Sequence, residues 1–158
     1  MNNPTPMPAG KTPSPWSRLW PSWARRPRRP TYFMVLANPV EGREEEFVTW
    51  YMSQHIHDLL KIDGVSAAQF FKLADQQYKP GQPHPHRYMV IWEIDSDDLP
   101  TVFARIQHGL ASGATQRSSS MDGPGSINNS FTPLSRRITK AEARGKSVAE
   151  ILALAMAE

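Results

Sequence analysis

Three runs of the chain are rich in apolar, β-branched and aromatic residues and are bounded by turn-forming residues. They lie at residues 32–37, 65–73 and 87–94. Runs of this length between proline, glycine and asparagine are typical of β-strands, and the first and third are apolar on both faces. A weaker run at residues 130–134 contains Pro133, which cannot donate a hydrogen bond to a central ladder. It therefore predicts a fourth strand at the edge of the sheet.

Helical patterns occupy the stretches between these runs. Residues 41–62 begin with acids, which the helix dipole favours, and end before Gly64. Asp97 or Asp98 can cap a second helix that reaches about Leu110. The element order is therefore β-α-β-β-α-β, which predicts an α+β fold of the ferredoxin-like type.

The C-terminal segment adds one more helix. Residues 147–150 read Ser-Val-Ala-Glu, a capping box in which the serine and glutamate satisfy free backbone N–H groups. Apolar side chains then follow on one side of the helix: Val148, Ile151, Leu152 and Ala155. We predict a domain at residues 31–138 and a helical extension at residues 139–158.

The predicted sheet needs a second cover. Two helices can bury only one of its faces, yet the runs at residues 32–37 and 87–94 are apolar on both. A second copy of the sheet, packed face to face, would bury the other face in a symmetric homodimer. We predict this dimer, and the chain's own C-terminal helix is the alternative cover.

Residues 1–30 differ in composition from the rest of the chain. The protein has 158 residues and a net charge of +3, but these residues hold six of its 18 Lys and Arg, no acid, and eight of its 15 prolines. The prolines predict a largely disordered arm. Its tryptophans, Trp16, Trp20 and Trp23, precede a run of arginines. This pattern fits docking to a membrane surface or a protein groove, and also a tail that packs loosely on its own domain.

Charge and cysteine content exclude several functions. Without the arm the chain carries a net charge of −3, so it lacks the basic folded surface expected of a nucleic-acid-binding protein. The absence of cysteine excludes disulfides, thiolate metal sites and a cysteine nucleophile. No apolar stretch approaches the roughly 20 residues that span a bilayer, and the arginines are followed by no long apolar export segment. We therefore expect a cytoplasmic protein.

His55 is the first candidate for chemistry. On a helical wheel it falls within an apolar stripe, whose other members are Val48, Tyr51, Met52, Leu59 and Ile62. Asp58 lies at the edge of the stripe, within reach of His55 at a spacing of three residues. A buried imidazole needs a partner or a cavity. Two interpretations remain open: a core histidine bonded to Asp58 or a backbone carbonyl, and an acid or base in a pocket.

Aromatic residues of the second and third strands either fill the core or line such a pocket. They are Phe70, Phe71, Tyr88 and Trp92. A metal site is not predicted, because His55 and His57 point to opposite sides of a helix and His84 and His86 have no third ligand.

Several segments resemble the EthD-like branch of the dimeric α+β barrel superfamily. They are YFMVLANPVE at residues 32–41, WY at 50–51 with HIHDLL at 55–60 and GV at 64–65, HRYM at 86–89 and FTPL at 131–134. The resemblance covers about residues 31–138. It implies a ferredoxin-like protomer, a homodimer closed through its sheets, and an apolar cavity between sheet and helices. The family's helix histidine falls on His55 and its acidic neighbour on Asp58, whereas His57 replaces the usual proline.

Together these observations predict a small-molecule enzyme without a cofactor. It would be a lyase, isomerase or cyclase that acts on an apolar aromatic or polyketide-like substrate. His55 would be the general base, Asp58 would orient it or hold its charge, and Tyr51 or Tyr88 would donate a hydrogen bond to a developing oxygen anion. Substrate-binding residues would be Trp92, Phe71, Met52 and Tyr32.

Two alternatives use the same fold. The first is a non-catalytic carrier or sensor whose cavity binds a hydrophobic ligand. The second is haem chemistry, for which His55, His84 or His108 would have to serve as the proximal ligand.

Overall fold

The structure is a computed structural model that describes residues 29–157. The predicted N-terminal arm, including its tryptophans, lies outside the described residues except for Arg29 and Pro30. The described chain forms an antiparallel sheet with helices, in the predicted order β-α-β-β-α-β followed by the C-terminal segment. The strands are β1 (Thr31–Ala37), β2 (Val65–Lys72), β3 (Tyr88–Ile94) and β4 (Ile127–Phe131). The helices are α1 (Glu44–Leu60, in three segments), α2 (Leu99–Ser112), α3 (Lys140–Ala143) and α4 (Val148–Met156).

The four strands lie in the order β2-β3-β1-β4, and every neighbouring pair is antiparallel. The α+β class predicted from the sequence is confirmed, with helices and a four-stranded antiparallel sheet. The fourth strand is an edge strand, as predicted, but it runs from Ile127 and ends before Pro133. Its pairing with β1 recruits Asn128 and Asn129, whose own preference for strands is low.

Helix α1 is not the uninterrupted α-helix that the pattern predicts. It begins at Glu44, because the preceding Gly42 has a φ of 76° and lies in a turn. It then runs as α-helix over Glu44–Trp50, as π-helix over Tyr51–His55 and again as α-helix over Ile56–Leu60.

The caps of the other helices follow the sequence closely. Asp98 caps α2 by accepting a hydrogen bond from the backbone N–H of Thr101. Ser147 and Glu150 form the predicted capping box of α4. A second capping box, formed by Thr139 and Glu142, starts the short helix α3, which was not predicted.

The sheet has two different faces. The face beneath α1 and α2 carries the core, and its largest fully buried side chains are Trp92, Tyr51, Phe47 and Ile94. The opposite face is mostly apolar and partly exposed, and its polar members are Gln69, Glu93 and Asn129. Strand register places these residues on it: Tyr32, Met34, Leu36, Phe71, Met89, Ile91, Ile127 and Phe131. Phe131 is 52% exposed there. None of the helices between residues 29 and 157 is long and apolar enough to cross a membrane.

Candidate functional site

The π-helical turn of α1 sets which side chains face the sheet. Phe47, Tyr51, His55 and Leu59 are buried at intervals of four residues. In a regular α-helix this spacing would drift by about 40° at each step. The wider π turn rotates the chain less per residue, so all four side chains remain on the sheet side. The same turn directs Met52 outward, where it is 60% exposed, so its predicted place at the cavity is wrong.

A cavity of about 470 Å³ lies between α1, the sheet, α2 and the loop that follows α2. Its apolar wall includes the rings of Phe33, Trp50, Tyr51 and Trp92 together with His55. The loop and β4 add polar side chains to the lining, which we call the polar wall: Arg117, Ser118, Ser126 and Asn128. Of the predicted site residues, the structure therefore brings Tyr51, His55 and Trp92 together at one cavity.

His55 is nine-tenths buried within a ring of aromatic side chains. Its imidazole lies 4.4 Å from the Trp50 ring with an interplanar angle of 30°, and it meets Tyr51 edge-on at 5.0 Å, all between centroids. Trp92 approaches edge-on at 5.8 Å. The Nδ1 atom is buried and has no hydrogen-bond partner among the described residues.

The surroundings of His55 keep it neutral at neutral pH. Burial lowers the pKa of His55 to about 4, and the negative charge of Asp58 only partly opposes this shift. Burial also raises the pKa of the Tyr51 phenol, so Tyr51 is a hydrogen-bond donor and not a phenolate at neutral pH.

The structure corrects the orienting role predicted for Asp58, although the negative charge of Asp58 does act on His55. Its carboxylate accepts hydrogen bonds from Gln54 Nε2 at 2.8 Å, from Lys61 Nζ at 3.2 Å and from the backbone N–H of Gln116 at 3.4 Å. These donors hold the pKa of Asp58 below its usual value. Among the described hydrogen bonds, none joins Asp58 to His55. Because Asp58 holds Gln116, it anchors the loop that forms the polar wall.

Other contacts fix the same loop. Trp50 Nε1 donates to the carbonyl of Gln116 at 3.2 Å, so the ring that stacks on His55 is tied to the polar wall. The Arg43 guanidinium donates to the carbonyl of Ser119 at 2.8 Å, and the N–H of Val40 donates to the carbonyl of Ser120 at 2.7 Å. The loop is therefore a fixed part of the cavity.

Tyr88 is also placed away from the cavity. Its hydroxyl donates a hydrogen bond to Glu44, which also pairs with Lys72 at 3.0 Å and Arg87 at 3.2 Å. These partners lower the pKa of Glu44 to about 2. The Tyr88 ring packs against Phe47 at 5.2 Å between centroids. Tyr88 thus joins a cluster of charged side chains, and it does not line the cavity.

Phe71 and Tyr32 lie on the far face of the sheet. Phe71 pairs with Met89 and Tyr32 with Glu93, positions that alternate with the buried residues of β3. Because neighbouring strand residues point to opposite faces, a pattern that is apolar at every position does not reveal which ones face the helices. The predicted place of both residues at the cavity is wrong.

The polar wall was missed by sequence reasoning. Arg117, Ser118 and Ser126 lie in a stretch rich in Gly, Ser and Asn, a composition typical of surface loops. An arginine isolated among small polar residues was the available signal. Within residues 29–157, no group of three or more His, Asp or Glu side chains is arranged to hold a metal ion.

Comparison with known proteins adds little to this geometry. No protein-family model and no curated protein matches the chain. The chain is similar to a dimeric ferredoxin-like protein of unknown function from Jannaschia sp. CCS1. The two share 15% sequence identity with a TM-score of 0.43, and the match covers 65% of this chain and 97% of that chain. The fold described above rests on the observed strand order and pairing.

Proposed function

We propose that the protein is a small-molecule enzyme of the lyase, isomerase or cyclase type, in which His55 accepts a proton from a ring-bearing substrate. The observation that carries this proposal is the His55 imidazole, which lines an aromatic-walled cavity with its Nδ1 atom buried and unpartnered among the described residues. A buried polar atom without a partner carries a free-energy cost of about 1–3 kcal/mol. A titratable group kept in a cavity at such a cost is a candidate for function.

The cavity fits an aromatic or polyketide-like compound in size and lining. A volume of about 470 Å³ lies within the range of small-molecule sites. Trp50, Tyr51 and Trp92 offer ring faces and edges to which a planar ligand can stack.

The chemistry suits a carbon acid that is already activated. A neutral imidazole can accept a proton, but the lowered pKa of His55 makes it a weak base. The face of Trp50, stacked on His55, and the charge of Asp58 both stabilise the imidazolium that forms. Tyr51, which remains protonated, supplies a hydrogen bond for the oxygen anion of an enolate or phenolate product.

The same observations support a second candidate, a non-catalytic carrier of hydrophobic ligands. His55 has no hydrogen-bonded carboxylate among the described residues, and its pKa is low for a base that works at neutral pH. A carrier would use the aromatic wall alone.

The proposal includes a homodimer closed through the far face of the sheet, as the EthD-like resemblance implies. That face is apolar and partly exposed, and Ile127 is 42% exposed on it. Exposed apolar surface of this kind is typical of an interface.

Deuterium exchange separates the two candidates. We expect the protein to accelerate the exchange of 2-tetralone, a two-ring ketone with acidic C–H groups beside its carbonyl, in D₂O at neutral pD. The His55→Gln variant should bind 2-tetralone yet lose the acceleration, since glutamine cannot accept the proton. His57→Gln, on the exposed side of the same helix, is the matched control. Exchange is measured by NMR and binding by calorimetry.

Each result decides between the candidates. Full acceleration by His55→Gln contradicts the role of His55. Binding without acceleration by the unmodified protein favours the carrier. Absence of binding to this ketone and to related ring compounds contradicts the cavity as a ligand site.

A further inference from the structure

We propose that the cavity selects ring compounds that carry an anionic group, such as an aromatic carboxylate, and that Arg117 binds this group. The inference rests on the proposed function only in taking the cavity as the ligand site. It adds the charge of the ligand, which the aromatic wall does not specify.

The first argument is the charge of the lining. Arg117 is the charged side chain that lines the cavity, and no carboxylate is among the described residues of its wall. His55 is neutral at neutral pH, so it does not offset or add to this charge. The net charge of the side chains that line the cavity is therefore positive, which favours an anionic ligand.

The second argument is that Arg117 is unpaired. Within residues 29–157, it forms neither an ion pair nor a hydrogen bond. Arg43 pairs with Glu46, Arg87 with Glu44 and Arg136 with Glu142. Arg137 and Arg144 are outside these ion pairs too, but they do not line the cavity. The guanidinium of Arg117 is thus available to a carboxylate, whose two oxygens match its planar donors.

The third argument is that the backbone around Arg117 is held in place. The preceding residue, Gln116, is bonded through its N–H to Asp58 and through its carbonyl to Trp50. Ser119, two residues after Arg117, accepts hydrogen bonds from the Arg43 guanidinium. A fixed backbone reduces the entropy that a ligand loses when it orders the side chain, which favours selective binding.

The two walls together define the ligand. The ring of the ligand packs against Trp50, Tyr51 and Trp92, and its anionic group faces the polar wall, where the Asn128 amide offers a further donor. A compound of one or two rings with a carboxylate satisfies both walls.

Calorimetric titration with a matched pair of ligands tests the inference. The ligands are 2-naphthoate and 2-naphthamide, which share a ring system and nearly the same size but differ in charge. We expect the full chain to bind 2-naphthoate at least about tenfold more tightly than 2-naphthamide, as charge-assisted hydrogen bonds imply. In Arg117→Gln the two affinities should differ by no more than about twofold, and the affinity for 2-naphthamide should be unchanged. Arg117→Lys should keep part of the preference.

Arg137→Gln, which removes a charge from an exposed position outside the cavity, is the control and should behave as the unmodified protein. Circular dichroism confirms that each variant is folded.

Equal affinity for the two ligands, or a preference that persists in Arg117→Gln, overturns the role of Arg117 while leaving the cavity as a binding site. Failure of both ligands to bind, in a protein that does bind 2-tetralone, overturns the inference alone. Failure of all three compounds overturns the proposed function as well.

Discussion

The buried imidazole of His55 links folding to pH. The pKa of His55 is about 4 in the folded protein, against 6.5 for an unperturbed histidine. Between these values the unfolded chain takes up a proton that the folded protein does not. The free energy of unfolding therefore falls as the pH is lowered from 6.5 towards 4, by at most about 3 kcal/mol.

Urea denaturation of the unmodified protein and of His55→Gln, at pH 7.5 and pH 4.5, measures this effect. We expect the unmodified protein to lose about 2–3 kcal/mol more stability over this range than the variant. Glu44 and Asp58 have lowered pKa values, so their contributions are lost mainly at lower pH. An equal loss in both proteins would contradict the assigned environment of His55.

At the scale of residues, the sequence predicts side chains on α1 better than those on strands. Tyr51 and His55 could be placed because helical periodicity assigns one side of a helix to the core. Tyr32 could not, because its strand is apolar on both faces. Phe71 could not, because it follows Phe70, and neighbouring strand residues face opposite sides. The partners of Asp58 could not be predicted either, since Gln116 is 58 residues away along the chain.

At the scale of elements, Gly64 fixes how the end of α1 meets α2. Its φ is 100°, and a Cβ atom added there would lie 2.5 Å from a methyl carbon of Val102. Gly64→Ala should therefore lower the free energy of unfolding by about 2–4 kcal/mol, through backbone strain and steric overlap together.

Gly81 supplies the matched control. It has a φ of 80°, but no atom lies within 4 Å of an added Cβ. Gly81→Ala should lower the free energy of unfolding by backbone strain alone, about 1–2 kcal/mol, as measured by urea denaturation. Equal losses in the two variants would show that the contact with Val102 has no energetic effect.

Elements with local signals were predicted well, and those that depend on partners were not. The caps at Asp98 and Ser147 each bond to a residue three positions further along the chain, so the sequence alone predicts both helix starts. The bounds of β4 depend on pairing with β1, and the polar wall of the cavity depends on bonds to Asp58 and Trp50. Contacts between residues far apart along the chain cannot be predicted from the local pattern of a single sequence.

At the scale of the whole molecule, the proposed dimer depends on the far face of the sheet. Ile91 lies near the middle of this face, on one of its two central strands. Ile91→Glu would place a charge in the proposed dimer interface, and we expect it to convert the dimer to a folded monomer.

Light scattering coupled to size-exclusion chromatography measures the mass. Leu152→Glu, on α4 and 61% exposed, is the control and should remain dimeric. A monomeric unmodified protein, or dissociation by Leu152→Glu but not by Ile91→Glu, would contradict an interface through the sheet.

The π turn of α1 also affects how this chain is aligned with others. The turn contains one residue more than a regular helical turn would need between Phe47 and His55. An alignment with a relative whose helix is regular therefore needs a gap of one residue within residues 51–55. Without that gap, either the core position of Phe47 or the cavity position of His55 is matched to the wrong residue.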